Sequence, residues 1–143
     1  MREDIETSYK ENLRSINEEI QRGGLSKEDI FAHRKYVSPM LDFILEDFTR
    51  ARKFIFDDDS IGGMIVCDSS KQARELERQL EERRQNGQTN LSSALILHDK
   101  GDKDYKKERV EAFKEGKIDL IIVYSMLLTG FDAPRLKRLY LGR

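Results

Sequence analysis

From Gly63 to Leu141, short and wholly apolar runs alternate with longer segments of helical period, and no other feature restricts the fold as much. Met64-Ile-Val-Cys67, Ala94-Leu-Ile-Leu97 and Leu120-Ile-Ile-Val123 have strand length and no polar position, the pattern of strands buried on both faces. Leu139-Tyr-Leu141, after Pro134, is a candidate fourth strand. Between the first two runs, Ser69 or Ser70 caps a helix that turns Ala73, Leu76 and Leu80 inward and stops at Asn86-Gly87. Between the next two, a helix containing Tyr105, Val110, Ala112 and Phe113 ends at Gly116. Helical crossovers allow consecutive strands to run parallel, so the pattern predicts an α/β, parallel doubly wound sheet.

The chain ahead of this body reads as helical. Ile5, Tyr9, Leu13, Ile16 and Ile20 form a narrow apolar stripe on a charged helix that Gly23-Gly24 stops. Ser26 and Asp29 have the spacing of a capping box, opening a short helix with Ile30 and Phe31. Ser38-Pro39 then opens a third helix, with Ser38 as cap and Pro39 at the first helical position. Val37, Leu41, Ile44, Leu45, Phe48, Ala51 and Ile55 fall on one side of it, and Met40, Phe43 and Phe54 broaden that face. The acidic, glycine-bearing stretch from Asp57 to Gly63 marks the boundary with the body. Its three adjacent aspartates read as a solvated loop, because no complementary ligand cluster accompanies them.

Charged residues make up 37% of the chain, yet 26 basic against 27 acidic side chains leave a formal net charge of -1. No global field recruits nucleic acid or membrane, so any such binding is local. A length of 143 residues suits one domain with an appendage. The single cysteine, Cys67, excludes an intramolecular disulfide and reads as a buried strand position, which fits a reducing, cytoplasmic setting. There is no apolar segment of membrane-spanning length and no signal-peptide pattern.

If the strands are parallel, Asp68 and Ser69, His98 and Asp99, and the turn from Ser125 to Asp132 all emerge at one edge of the sheet. Ligands of open α/β sheets bind there, beyond the carboxyl ends of the strands. Helices starting after Ser69 and Asp104 would present backbone N–H groups to an anion such as a phosphate, with Lys71, Lys103, Lys106 and Lys107 adding positive charge or serving only solubility. The competing reading of the turn is a plain β-α connection, in which Thr129 and Asp132 cap turns and Gly130 supplies a positive φ. The chain lacks a P-loop, a G-x-G-x-x-G turn after a strand, an adjacent acidic pair after a strand, metal-ligand spacing around His33 or His98, and an assignable nucleophilic triad. By itself it carries half a site.

The order Met64-Ile-Val-Cys-Asp-Ser-Ser-Lys-Gln-Ala73, then Lys103 to Phe113, then Asp119 to Leu141 with Leu127-Leu-Thr-Gly-Phe-Asp-Ala-Pro134, resembles the second RecA-like domain of superfamily-two helicases. The Thr-Gly-Phe-Asp-Ala-Pro run followed by a Leu-Tyr strand is similar, more narrowly, to the restriction (motor) subunit of type I restriction-modification enzymes. The resemblance covers Gly63 to Leu141, and the helical front resembles the linker helices such subunits place before this domain. It implies a RecA-like, P-loop NTPase type sheet over 63–143, with a helical extension or linker over 1–62.

By the same resemblance, Ser69 takes the place of the motif IV hydroxyl that approaches a nucleic-acid phosphate. Thr129, Gly130 and Asp132 fall in motif V, between nucleotide and DNA track, with Gly130 and Asp132 on the ATP side and Thr129 on the DNA side. Ser125, also on the DNA side, departs from the many relatives that carry an acidic residue there. The chain stops before the arginine-rich motif VI, and the P-loop and magnesium-binding acids belong to a preceding domain. The expectation is therefore a fragment of an ATP-dependent double-stranded DNA translocase and endonuclease, inactive alone and without bound cofactor. ATP and Mg2+ would serve the intact subunit. Its partners would be duplex DNA, the modification and specificity subunits, and the first RecA-like domain of the same parent, with no membrane. The alternatives are another superfamily-two motor or a non-catalytic doubly wound binding module.

Overall fold

Four parallel strands form one sheet in the computed structural model, which describes residues 14, 27–97, 103–124 and 133–142. The elements run α1 (Lys27–Ala32), α2 (Arg34–Arg50), a π-helical turn (Ala51–Ile55), β1 (Gly62–Cys67), α3 (Ser70–Gln85), β2 (Ser93–Ile96), α4 (Lys103–Lys114), β3 (Leu120–Tyr124) and β4 (Leu136–Leu141). The strand order is β2-β3-β1-β4. Met64 pairs with Ile121 of β3 on one side and Leu139 of β4 on the other, and Ala94 of β2 pairs with Ile121 from the far side of β3. All the pairings are parallel, as the alternating pattern predicts, and helices cover both faces.

The period-two geometry of the apolar strands divides the core between those faces. Ile65, Cys67, Leu95, Leu120, Ile122 and Tyr140 pack under α2 and α3, which contribute Val37, Leu41, Ile44, Phe48, Ala73, Leu76 and Leu80. Met64, Ala94, Ile96, Ile121 and Val123 pack on the other face under α4, whose Phe113 is fully buried. Each fully buried Leu, Ile or Phe stabilises the fold by roughly 1.5–3 kcal/mol relative to exposure. Asn86-Gly87 and Gly116 end their helices as expected, with φ of 76° at Gly87 and 85° at Gly116 in the left-handed region that glycine enters without a Cβ clash.

Helix α2 departs from its sequence reading at both ends. It starts at Arg34, not at Pro39, because His33 is its cap: His33 Nδ1 accepts a hydrogen bond from Lys35 N at 3.1 Å. Pro39 therefore sits inside the helix, where its ring is buried and its missing N–H removes one i→i−4 bond. At the other end the Phe56 N–H donates to Ala51 O at 2.9 Å, five residues back. This wider turn rotates the chain off the α2 stripe. Phe54 and Ile55, expected on the buried side, are 71% and 59% exposed, and Phe43 lies on the outer flank of α2 at 39%. The stripe from Ile5 to Ile20 lies outside the described residues.

Candidate nucleotide and nucleic-acid edge

The carboxyl ends of β1, β3 and β4 open on one edge of the sheet, together with the N-terminus of α3. Leaving β1, the chain turns through Asp68 and Ser69 into α3. Ser69 is its cap, with φ −151° and ψ 164°, and its Oγ accepts from Gln72 N at 3.0 Å. Ser69 is buried as a residue, 2% exposed, and its hydroxyl keeps its own hydrogen to donate. Lys71, read as a source of local positive charge, pairs with Asp29 of α1 at 3.0 Å. Lys106 is half-buried on α4 and Lys107 exposed. Ser125, Thr129, Gly130 and Asp132, with His98 and Asp99, lie outside the described residues, so Ser69 alone of the candidate site residues has a described position.

The residue that organises this edge is one the sequence reading passed over. Gln72 is fully buried in the first turn of α3. Its Oε1 accepts from Asp68 N at 2.6 Å, and its Nε2 donates to Phe31 O of α1 at 2.9 Å and to Gly142 O, just past β4, at 2.5 Å. Gly142 N in turn donates to Val66 O of β1 at 2.8 Å. The only available signal was a polar residue on the inward face of an amphipathic helix. The neighbouring Cys67 is inert. Burial, and then the Asp68 carboxylate, push its thiol up to about 12, so it stays protonated at neutral pH.

The opposite edge holds structural charges. Arg52, after α2, donates to Asp119 Oδ1 at 2.7 Å and to Ile61 O at 2.7 Å, while its guanidinium lies 4.5 Å from the Phe48 ring centroid. Arg135 donates to Phe113 O at 2.7 Å and Ile118 O at 2.6 Å, joining α4 to the start of β4. The carboxylate of Asp58 accepts from Ser60 N and Oγ, which fixes the acidic loop as a turn. Among the described residues no group of three or more His, Cys, Asp or Glu could hold a metal ion. No helix among them is long and apolar enough to cross a membrane.

A four-stranded parallel sheet wrapped by helices on both faces has the α/β architecture of a RecA-like helicase domain. The helicase domain of Hef from Pyrococcus furiosus superposes with a TM-score of 0.56 at 12% identity, over 92% of this chain and 29% of that one. The chain thus spans under a third of the structure it matches. Residues 56–143 match the family described as type I restriction enzyme subunit R domain 3, and the chain belongs to that family. No curated protein matches the sequence.

Proposed function

We propose that this chain is part of the motor of a type I restriction enzyme, an ATP-dependent translocase of double-stranded DNA whose parent subunit also cuts DNA. The observation that carries the reading is the match of residues 56–143 to R-subunit domain 3, on a four-stranded parallel sheet. In this reading residues 1–62 form the helical extension and 63–143 the second RecA-like domain. Gly130 and Asp132 face ATP and its Mg2+, which the intact subunit holds between this domain and the first RecA-like domain. Ser69, Ser125 and Thr129 face the duplex. ATP binding closes the two domains and hydrolysis reopens them, so each cycle advances the DNA. The modification and specificity subunits complete a cytoplasmic assembly.

Phosphate contacts suit a motor, because the backbone carries no sequence information and movement along DNA must ignore sequence. Three hydroxyls on a phosphate track also leave recognition to another subunit.

The test is ATP turnover by the intact subunit with its partners, with and without duplex DNA, in the wild type and in Asp132→Ala. DNA-stimulated turnover should fall about tenfold or more in the variant, the scale of one lost charged hydrogen bond in the nucleotide cleft. DNA affinity should fall linearly on a log–log plot against salt. Unchanged turnover in folded Asp132→Ala would remove the motif V assignment, and a wild-type complex without ATPase would remove the motor.

A further inference from the structure

The hydrogen bonds at Gln72 form a junction rather than a simple cap. One side chain meets three segments far apart in sequence: the Asp68 N–H where β1 ends, the Phe31 carbonyl of α1, and the Gly142 carbonyl where β4 ends. Those partners comprise one donor and two carbonyl acceptors, with Met40 Sδ of α2 a weak third acceptor 4.0 Å from Nε2. A primary amide is the side-chain group that offers one acceptor and two N–H donors in a plane. Ionised glutamate can only accept, asparagine is one methylene shorter, and methionine fills the volume but leaves buried polar groups unpaired. The same demand fixes the orientation of the amide, since turning it over would aim Nε2 at the Asp68 N–H.

Two further observations make the junction tight. A Cβ built on Gly142 would stand 2.1 Å from Gln72 Oε1 and 3.0 Å from Cys67 Cα, so the backbone there reaches the amide only as glycine. The Lys71–Asp29 ion pair, one residue away, fastens the same α3 turn to the same α1 helix. Ser69 caps the turn through the backbone N–H of Gln72 itself. Any displacement of the Ser69 turn therefore moves the amide, and the amide carries α1 and the β4 exit with it.

We infer that Gln72 is the positioning residue that couples helix α1 to the strand exits at the candidate nucleic-acid edge, so that DNA engagement there is transmitted to the helical front. The inference rests on the motor reading above. Gln72 touches neither nucleotide nor DNA. It acts through Ser69, Phe31 and Gly142.

The experiment uses the intact subunit in its complex, as wild type, Gln72→Glu, Gln72→Met and Gly142→Ala. Steady-state ATP turnover is measured with and without duplex DNA, below the melting temperature of every variant. Backbone hydrogen exchange over residues 27–32 is followed in both states. In the wild type, DNA should change exchange in α1. In the variants that change should be lost, and the ratio of DNA-stimulated to basal turnover should fall about tenfold, the scale of one or two lost hydrogen bonds. A ratio within twofold of wild type, with the α1 response intact, would overturn the inference while leaving the motor standing. Equal loss of basal and stimulated turnover, with lowered thermal stability, would reduce Gln72 to a structural residue. A wild-type complex that DNA does not stimulate would sink the motor reading and the coupling with it. Gly142→Ala keeps every side-chain donor and acceptor, so it serves if the Gln72 variants do not fold.

Discussion

Asp119 immediately precedes β3, and its carboxylate gathers partners from two distant segments. Oδ1 accepts from Arg52 at 2.7 Å, and Oδ2 accepts from Ser92 N at 2.9 Å and Ser92 Oγ at 3.1 Å. Burial alone would raise its pKa, but the hydrogen bonds from Ser92 and the Arg52 guanidinium outweigh it and hold the carboxyl below the usual range. A depressed folded-state pKa means that the unfolded chain binds the proton more readily. The stabilisation is complete above the unfolded value of about 3.9 and is lost as pH falls through the lower folded value. Asp119→Asn should cost roughly 1–3 kcal/mol in urea unfolding at pH 7, with Arg52 left half-buried and uncompensated, and the gap from wild type should close in that acid window. A gap that stays constant down to low pH would mean the charge of Asp119 contributes nothing. The strand that follows Asp119 was legible in its apolar run. Its partner Arg52, 67 positions away, was not, because an ion pair across a fold leaves no periodicity in the chain.

At the scale of elements, β1 is pressed from both faces. A Cβ on Gly62 would stand 2.6 Å from Phe113 Cζ of α4, and one on Gly63 would stand 2.9 Å from Leu120 Cδ2 and 3.2 Å from Phe48 Cε2 of α2. These glycines let two buried phenylalanines reach the strand backbone. Gly62→Ala should therefore destabilise by roughly 1–3 kcal/mol, the scale of core overpacking. Combining it with Phe113→Leu should cost less than the sum of the single changes in a denaturation cycle, and strict additivity would place the strain elsewhere. The sequence marked Gly63 only as the start of the α/β grammar. The strands were legible because runs without a polar residue have few other fates, whereas the limits of α2 were not. Ser38-Pro39 carries the local signature of a helix start, and packing overrode it by burying Tyr36, Val37 and Pro39 in a helix already under way from His33. At the sheet's margin, Leu139 and Leu141 look like core in the sequence yet are 60% and 65% exposed, because β4 is an edge strand of which only Leu136 packs against the cluster under α4.

For the molecule as a whole, α2 belongs to the folding unit even though the change of sequence grammar falls after it. Val37, Leu41, Ile44 and Phe48 are at most 1% exposed and share one core with Ile65, Leu95 and Ile122 of the sheet. Removing those four side chains withdraws roughly 1.5–3 kcal/mol each. That is comparable with the ~5–15 kcal/mol by which a domain is stable. A chain starting at Asp57 should show no cooperative melting by circular dichroism, whereas the chain from Lys27 should, and a sharp transition in the shorter chain would place α2 outside the unit. By itself the sequence determined the fold class, the parallel direction of the strands and the edge at which they open. Each of these follows from local periodicity and from the need to bury strands on both faces. Only the tertiary structure decided that β4 lies beside β1, that α2 roofs the sheet and that Gln72 joins three segments at the open edge. Those outcomes depend on contacts between residues far apart along the chain, where donor, acceptor and volume must match in space and no spacing in the sequence records the match.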